Sequence, residues 1–247
     1  MKWRTPIKIE VFDSEETTAR AAAKFIAAEA TAAVSARGRF VLAASGGHTP
    51  WIMLRALRDE SCPWKEMYVV QVDERLAPAE APDRNLTHLK QSLLDGAPIA
   101  PQHVYAMDVE SPDPEVAAKG YASLLRDIAG SPPVLDLVHL GLGPDGHTAS
   151  LVPHDPVLEL SASDVGLTGI YQRRRRMTLT YPIINRARRI LWLVTGNEKR
   201  DMLVRLRSAD PSIPAGRVRQ DHAVIFADRD AAEVVTSKPS GPLHSTS

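Results

Sequence analysis

The sequence predicts an α/β protein with a doubly wound, mainly parallel sheet and helices on both faces, a three-layer sandwich. Short apolar runs rich in β-branched residues alternate with helical patterns along the chain. This alternation is typical of parallel strands joined by crossover helices. Polar and glycine-rich motifs follow directly after the apolar runs, which is where such sheets bind ligands. The chain has 247 residues, enough to bury a full core.

The first half of the chain predicts four strands, each followed by a helix. Ser14 is expected to cap the first helix, whose first turn is acidic, and both features stabilise a helix N-terminus. A Gly-Gly turn separates the second strand from its helix, and the third strand ends on charged residues. The predicted strands are 8–12, 39–45, 67–74 and 103–107, and the helices lie at 15–36, 51–60, 85–94 and 114–129.

The second half predicts three more strands, at 135–142, 190–196 and 223–228, and a helix over 197–208. No internal repeat or linker divides the chain, so we expect one domain over residues 1–236. Residues 237–247 are polar and contain Pro and Ser, a composition that predicts a disordered tail.

Composition excludes several classes of protein. The net charge is zero and the pI is near 7.1, so we expect no nucleic-acid partner and no anionic membrane surface. The N-terminus lacks the apolar core of a signal peptide, and no run is long enough to span a membrane. The single Cys62 cannot form an internal disulfide. We therefore expect a cytoplasmic protein. We also expect it to act as a monomer.

The motif ASGGHTP follows a predicted buried strand and opens a helix. Gly46 and Gly47 let the backbone approach an anion, and Ser45 and Thr49 carry hydroxyl donors. The free amides and dipole of a helix N-terminus favour phosphate. The same letters also suit a plain strand-to-helix turn with Thr49 as the N-cap before Pro50. The two interpretations are compatible, and no Walker A Lys-Ser/Thr pair follows the glycines.

The motif VDER ends the third strand with two carboxylates and an arginine. Asp73 and Glu74 should point to opposite faces of an extended strand, so they are not expected to act as a pair. Arg75 is permanently cationic and suits a carboxylate or a developing oxyanion. The alternative is an Asp–Arg bridge that only ties down the loop.

The stretch GLGPDGHTAS contains a G-x-G-x-x-G spacing at Gly141, Gly143 and Gly146. A dinucleotide site is not expected, because Asp145 would face the pyrophosphate and two prolines shorten the following helix. The predicted architecture is therefore Rossmann-like without a dinucleotide site. The glycines instead form a rigid loop for Asp145 and His147, with His147 as a general base oriented by Asp145. A histidine bonded only to loop carbonyls is the alternative.

Two further cations come late in the chain. Four consecutive arginines, 173–176, predict mostly a solvated loop, but Arg176 adjoins the MTLT segment and is the one expected to reach a phosphate. Lys199 lies at the start of a predicted helix and is a candidate phosphate contact or an ordinary surface lysine. The remaining histidines show no zinc-binding spacing, so no metal is expected, and His139 within a strand is expected to be a buried structural residue.

Five motifs occur along the chain in this order: SGGHTP, VDER, GLGPDGHTASL, MTLT…INRAR and TGNEK. Together they resemble the 6-phosphogluconolactonase family over roughly residues 10–227. The wider superfamily includes glucosamine-6-phosphate deaminase and isomerase. Its deaminase branch typically has an aromatic residue after Asp-Glu, where this chain has Arg75. The resemblance implies hydrolysis of 6-phosphoglucono-δ-lactone to 6-phosphogluconate in the oxidative pentose phosphate pathway, with no metal or organic cofactor.

The resemblance also implies roles for individual residues. His147 would deprotonate water, Arg75 would stabilise the oxyanion, and Asp73 would hold Arg75 or sugar hydroxyls. Asp145 would orient the site. The phosphate would be bound by Gly46, Gly47, Thr49, Arg176 and Lys199. Two departures concern the phosphate contacts: Arg84 stands where the family often has Ser, and arginines replace a segment often rich in Lys and Pro. A hexosamine-phosphate isomerase or deaminase with a base such as Asp73, and a non-catalytic sugar-phosphate sensor, remain alternatives.

Overall fold

A computed structural model describes residues 7–79 and 81–233. Within these ranges, ten strands form two sheets, and seven α-helices surround them. The strands are β1 Lys8–Phe12, β2 Phe40–Ala44, β3 Met67–Gln71, β4 Asp73–Arg75, β5 Val104–Tyr105, β6 Leu137–Leu140, β7 Val165–Leu167, β8 Arg176–Leu179, β9 Arg189–Val194 and β10 Ala223–Asp228. The helices are α1 Glu15–Arg37, α2 His48–Leu57, α3 Asn85–Leu89, α4 Pro114–Ala129, α5 Tyr181–Arg186, α6 Arg200–Arg207 and α7 Arg229–Ala232.

The main sheet has seven strands in the order β1-β10-β9-β6-β2-β3-β5. Every neighbouring pair in it is parallel. The chain therefore needs a crossover between successive strands, and helices supply most of these crossovers. The predicted α/β class and the mainly parallel sheet are confirmed. The predicted tail, residues 237–247, lies outside the described residues.

Helices cover both faces of the main sheet. Along β2, Phe40 and Leu42 pack into the hydrophobic cluster that contains the alanines of α1. Val41 and Ala43 alternate with them and pack into the opposite cluster, which contains Leu125 of α4. This period-two alternation places helices above and below the sheet, so the three-layer prediction is also confirmed.

The first helix begins where the sequence predicts. The Ser14 hydroxyl accepts a hydrogen bond from the Thr17 amide, and the Thr17 side chain accepts from the Ser14 amide. Gly38 ends the helix in the left-handed conformation, with φ of 74°, which costs glycine little. The buried face of α1 is largely alanine, so the helix can approach the sheet closely.

The predicted strand 67–74 is wrong in one respect: it is two strands in two different sheets. The Val72 amide donates to Ala44 of β2 at 3.0 Å, whereas the Val72 carbonyl accepts from Leu179 of β8 at 2.8 Å. Beyond Val72 the chain belongs to a three-stranded antiparallel sheet, β4-β8-β7. This small sheet was not predicted, and it carries Asp73, Arg75 and Arg176. In the described part of the chain, no helix is long and apolar enough to cross a membrane.

Candidate active site

A cavity of about 690 Å³ opens at the carboxyl ends of the parallel strands. Its walls come from residues at or after the ends of β1, β2, β6, β9 and β10, and from β4, β8 and the start of α3. In the sheet, β2 and β6 are neighbours. Strand β3 lies on the far side of β2, and β9 lies on the far side of β6, so the order of the strands reverses between β2 and β6. The cavity therefore lies at the topological switch point, where open α/β sheets bind ligands. Nine predicted site residues line it: Ser45, Gly46, Gly47, Thr49, Asp73, Arg75, His147, Arg176 and Lys199.

His147 lies in a tight loop that follows β6. The Gly143 amide donates to the His147 carbonyl at 2.8 Å, and the Gly146 amide donates to the Gly143 carbonyl at 3.0 Å. Gly146 has φ of 83°, a backbone conformation that residues other than glycine rarely adopt. A Cβ on Gly143 would lie 2.0 Å from Nδ1 of His147. The glycines are thus needed for the loop and for the position of the imidazole ring.

Asp145, the tenth predicted residue, supports His147 without lining the cavity. Its Oδ1 accepts from the His147 amide at 3.1 Å and lies 2.5 Å from Nδ1 of the ring. The hydrogen bond from the His147 side chain holds the pKa of the Asp145 carboxyl well below its usual range. Because an ionised carboxylate only accepts hydrogen bonds, Nδ1 carries the proton in the neutral ring and Nε2 keeps its lone pair.

The loop between β2 and α2 has the features of an anion site. Gly47 is the N-cap of α2, with φ of 133°. The amides of His48 and Thr49 have no intrahelical acceptor, as in the first turn of any helix, and Pro50 has no N–H. A Cβ on Gly46 would lie 2.1 Å from Oδ1 of Asn85, so the backbone of this loop packs directly on the segment after β4.

The two hydroxyls of this loop already have protein partners. Ser45 donates to the carbonyl of His139 at 2.9 Å. Thr49 is hydrogen-bonded to the carboxylate of Glu15 and lies 2.6 Å from the hydroxyl of Thr195. The donors that remain for an anion in this loop are therefore main-chain amides.

Asp73 and Glu74 face different surroundings, as the alternation along a strand predicts. Asp73 lines the cavity, and its carboxylate accepts from Ser150 at 2.5 Å and from Asn85 at 3.3 Å. Burial raises the pKa of the Asp73 carboxyl, while the bond from Ser150 and the charges of Arg75 and Arg176 oppose that shift. Glu74 is fully buried and accepts from the amides of Arg75, Asn85 and Leu86. Its role is to hold the start of α3.

Two arginines from the antiparallel sheet lie on the cavity wall. One Nη of Arg75 donates to the carbonyl of Asp83, and its Nε has no acceptor among the described residues. Arg176 is 5% exposed and donates to Gln172 at 3.0 Å, and its Nε also lacks an acceptor in the described ranges. Burial lowers the pKa of Arg176, but a guanidinium stays charged in proteins. Both guanidinium groups thus place positive charge on the cavity wall.

The other cations divide between the cavity and the scaffold. Lys199 is 20% exposed, lines the cavity and lies 3.7 Å from the carboxylate of Glu198. Arg174 is paired with Asp83, and Arg175 donates to the carbonyl of Thr168, so neither lines the cavity. Arg84, the departure from the family pattern, is buried and bonds to the carbonyl of Ala77 and to Glu110. These partners give Arg84 a structural role.

Several neighbours of the site were not predicted. Ser150 and Asn85 hold Asp73, and Tyr171 donates its hydroxyl to Oδ2 of Asp145 at 3.0 Å. Ser150 lies inside the DGHTAS motif, so its proximity to the site is visible in the sequence, but its partner is not. Within the described residues, no three His, Cys, Asp or Glu side chains are grouped so as to hold a metal ion.

Comparison with known proteins agrees with this geometry. Residues 13–226 match the family model described as glucosamine-6-phosphate isomerases/6-phosphogluconolactonase. The chain is 33% identical to the 6-phosphogluconolactonase of Synechocystis sp. (92% of this chain, 97% of the relative) and 34% identical to that of Mycobacterium tuberculosis (93% and 98%). It superposes on 6-phosphogluconolactonase from Trypanosoma cruzi with a TM-score of 0.83 at 27% identity, over 96% of this chain and 98% of that one. The chain therefore belongs to the glucosamine-6-phosphate isomerase/6-phosphogluconolactonase family.

Proposed function

We propose that this chain is a 6-phosphogluconolactonase, which hydrolyses 6-phosphoglucono-1,5-lactone to 6-phosphogluconate in the oxidative pentose phosphate pathway. The observation that carries the proposal is the Asp145–His147 pair, with Nδ1 and Oδ1 separated by 2.5 Å, at a cavity lined by Arg75, Arg176 and Lys199. A histidine that is oriented by a carboxylate and lies beside cations suits the attack of water on the carbonyl of a phosphorylated substrate. The lactonase names of the relatives, at 33% and 34% identity, support the same reaction.

His147 acts as the general base and then as the general acid. Its Nε2 makes no hydrogen bond to the described residues and accepts a proton from water as the water oxygen bonds to the lactone carbonyl carbon. The resulting tetrahedral intermediate carries its negative charge on the former carbonyl oxygen. When it collapses, the bond from that carbon to the ring oxygen breaks, and the imidazolium returns the proton to the ring oxygen. The ionised Asp145 stabilises the imidazolium between the two steps.

Arg75 stabilises the oxyanion. Its guanidinium lines the cavity, and its charge lies near Asp73. Asp73 balances the positive charges of Arg75 and Arg176, which would otherwise be poorly solvated at the cavity wall. A donor fixed before the reaction stabilises the transition state without reorganisation of solvent.

The phosphate binds where Lys199 and the amides of the β2–α2 loop supply positive charge and N–H donors. The positive end of the α2 dipole adds to this attraction. Arg176 supplies a further guanidinium from the small sheet. All these groups belong to one copy of the chain, so the proposed reaction does not require a residue from a second copy.

Asp73 argues against a deaminase or isomerase that uses it as the base. Such an enzyme needs a carboxylate that can reach a C2 proton. Both oxygens of Asp73 already accept hydrogen bonds, from Asn85 to Oδ1 and from Ser150 to Oδ2. This arrangement suits a residue that holds charge and geometry, and it favours the lactonase.

The test is the rate of acid release at constant pH from freshly generated lactone, beside a blank for its spontaneous hydrolysis. We expect acceleration by the enzyme, and no ammonia release from glucosamine 6-phosphate. His147→Ala should lower kcat by about 10²–10⁴-fold, the usual contribution of a general base. His222→Ala removes an exposed histidine and should retain the wild-type rate. No acceleration over the blank would refute the proposal.

A further inference from the structure

Tyr171 lies at the base of a hairpin and has no role in the proposed reaction steps. Its amide donates to the Arg174 carbonyl at 2.9 Å, and the Arg174 amide donates back at 3.2 Å. The two residues between them, Gln172 and Arg173, have φ of 48° and 71°. Two successive positive φ angles define a type I′ turn, in which glycine and asparagine are usual. The backbone conformation of this non-glycine turn is costly, and it fixes Tyr171 against its neighbours.

The phenol of Tyr171 is bonded to the carboxylate that supports His147. Its hydroxyl donates to Oδ2 of Asp145 at 3.0 Å, whereas His147 uses Oδ1 at 2.5 Å. Burial and the bond to Asp145 raise the pKa of Tyr171, so the phenol remains a donor. Since each carboxylate oxygen has its own donor, the carboxylate plane cannot rotate away from the imidazole without breaking one of the two bonds.

The ring of Tyr171 contacts the two other parts of the site. It stands edge-on to the His147 ring, with centroids 5.5 Å apart at 65°. The Arg176 guanidinium lies over its face, 5.0 Å from the centroid, within the range of a cation–π interaction. Tyr171 does not itself line the cavity. It nevertheless contacts both the Asp145–His147 pair and Arg176, the guanidinium assigned to the phosphate.

We propose that Tyr171 is a positioning residue: its hydroxyl fixes Asp145 as the acceptor for Nδ1 of His147, and its ring holds Arg176 at the cavity wall. The kinetic part rests on the proposed lactonase function. The structural part, a fixed Asp145–His147 pair, does not.

Two substitutions separate the hydroxyl from the ring. Tyr171→Phe removes only the hydroxyl, so kcat should fall about tenfold, since a hydrogen bond to a charged group is commonly worth that factor, while KM stays unchanged. Tyr171→Leu also removes the face beneath Arg176 and should in addition raise KM about three- to tenfold. Tyr68→Phe is the matched control, because that ring packs against His103 and Tyr105, outside the cavity lining.

A double-mutant cycle tests whether Tyr171 acts through Asp145. In an Asp145→Asn background, Tyr171→Phe should have little further effect on kcat, because the carboxylate it positions is already gone. An equal loss in both backgrounds would overturn the proposal, and so would a Tyr171→Phe enzyme with wild-type kcat and KM. Thermal unfolding of each variant checks that the fold is retained.

Nitrogen-15 NMR of the substrate-free protein gives a readout independent of activity. The His147 signals, assigned by their loss in His147→Ala, should show the Nδ1–H tautomer in the wild type and a mixture of tautomers in Tyr171→Phe. Identical His147 signals in the two proteins would contradict the positioning role. If the lactone proves not to be the substrate, this measurement still decides the structural part.

Discussion

At the scale of single residues, Asp73 and Asp145 lie near the same cavity in opposite electrostatic environments. Burial raises the pKa of Asp73, and the hydrogen bond from His147 lowers that of Asp145. Asp145 therefore stays ionised beside a ring that gains a proton during the reaction. Asp73 instead lies among Ser150, Arg75 and Arg176, where its charge balances those of the two arginines. The two aspartates thus have different roles, which are determined by the residues around them.

Lys199 is expected to contribute to binding and little to the chemical step. Lys199→Met removes a charge assigned to the phosphate, so KM for the lactone should rise about tenfold or more, with kcat nearly unchanged, as for a group that stabilises substrate and transition state equally. Inorganic phosphate should become a weaker competitive inhibitor. Lys119→Met, an exposed position on α4, is the control. A lower kcat at unchanged KM would contradict the assignment.

How much of the site was predictable depends on sequence separation. Asp145 and His147 are two residues apart, so one glycine-rich loop at a strand end was enough to associate them. Tyr171 lies 26 residues beyond Asp145 in a segment whose arginines indicate a solvated loop. Its contact with Asp145 depends on how β7 and β8 pair, and no local pattern specifies that pairing.

At the scale of elements, the loops at the strand ends support one another. The β2–α2 loop packs on Asn85, which in turn donates to the carbonyl and carboxylate of Asp73. The loop after β6 is closed by its own hydrogen bonds and supports the His147 ring. Because these contacts connect the tips of different strands, the positions of Asp73 and His147 depend on glycines that allow close packing.

Gly143 provides a test of that dependence. Gly143→Ala would place a Cβ 2.0 Å from Nδ1 of His147, so the ring must leave the position in which it is bonded to Asp145. Displacement of a catalytic group by about 1 Å can cost roughly 100-fold in rate, and we expect kcat to fall by about that factor.

The matched control for this change is Gly120→Ala on α4, where nothing lies within 4 Å of the new Cβ. It should keep full activity and stabilise the helix by about 0.5–1 kcal/mol. Steady-state kinetics and urea unfolding measure both effects. Wild-type kcat in a folded Gly143→Ala protein would show that the ring tolerates the added methyl group.

The elements that the sequence did not predict share one physical cause. The run through Val72 is extended and buried on both sides of the break. Nothing in its local pattern therefore marks the change of partner from β2 to β8. In β8, Arg176 is buried among Met177, Thr178 and Leu179, although arginine ordinarily indicates solvent. Local pattern describes how buried a segment is, whereas pairing depends on residues about a hundred positions away.

At the scale of the whole molecule, the parallel topology explains why dispersed motifs form one site. Motifs separated by up to about 150 residues meet because the parallel strands end at one edge of the sheet. The zero net charge of the chain is compatible with an anionic substrate, since Arg75, Arg176 and Lys199 line the cavity. The sequence could predict this meeting point from the fold class alone. The detailed contacts required the strand order.

The same topology buries a histidine beneath the site. His139 in β6 is fully buried, and its Nδ1 accepts from the Ser45 amide at 3.4 Å, which confirms the structural role predicted for it. Burial lowers its pKa from 6.5 to about 4. Above pH 6.5 the ring is neutral in both the folded and the unfolded chain. As the pH falls from 6.5 to 4, only the unfolded chain gains the proton, so the free energy of unfolding decreases.

His139 should therefore make the stability of the whole molecule sensitive to mild acid. One pKa unit is worth about 1.4 kcal/mol, so its titration should remove about 3 kcal/mol between pH 7 and pH 4. His139→Asn keeps an acceptor near Ser45 but does not titrate. Urea unfolding across this range should show a smaller loss of stability in that variant than in the wild type, and His222→Asn should retain the wild-type profile. Parallel pH profiles for wild type and His139→Asn would mean that acid acts through other groups.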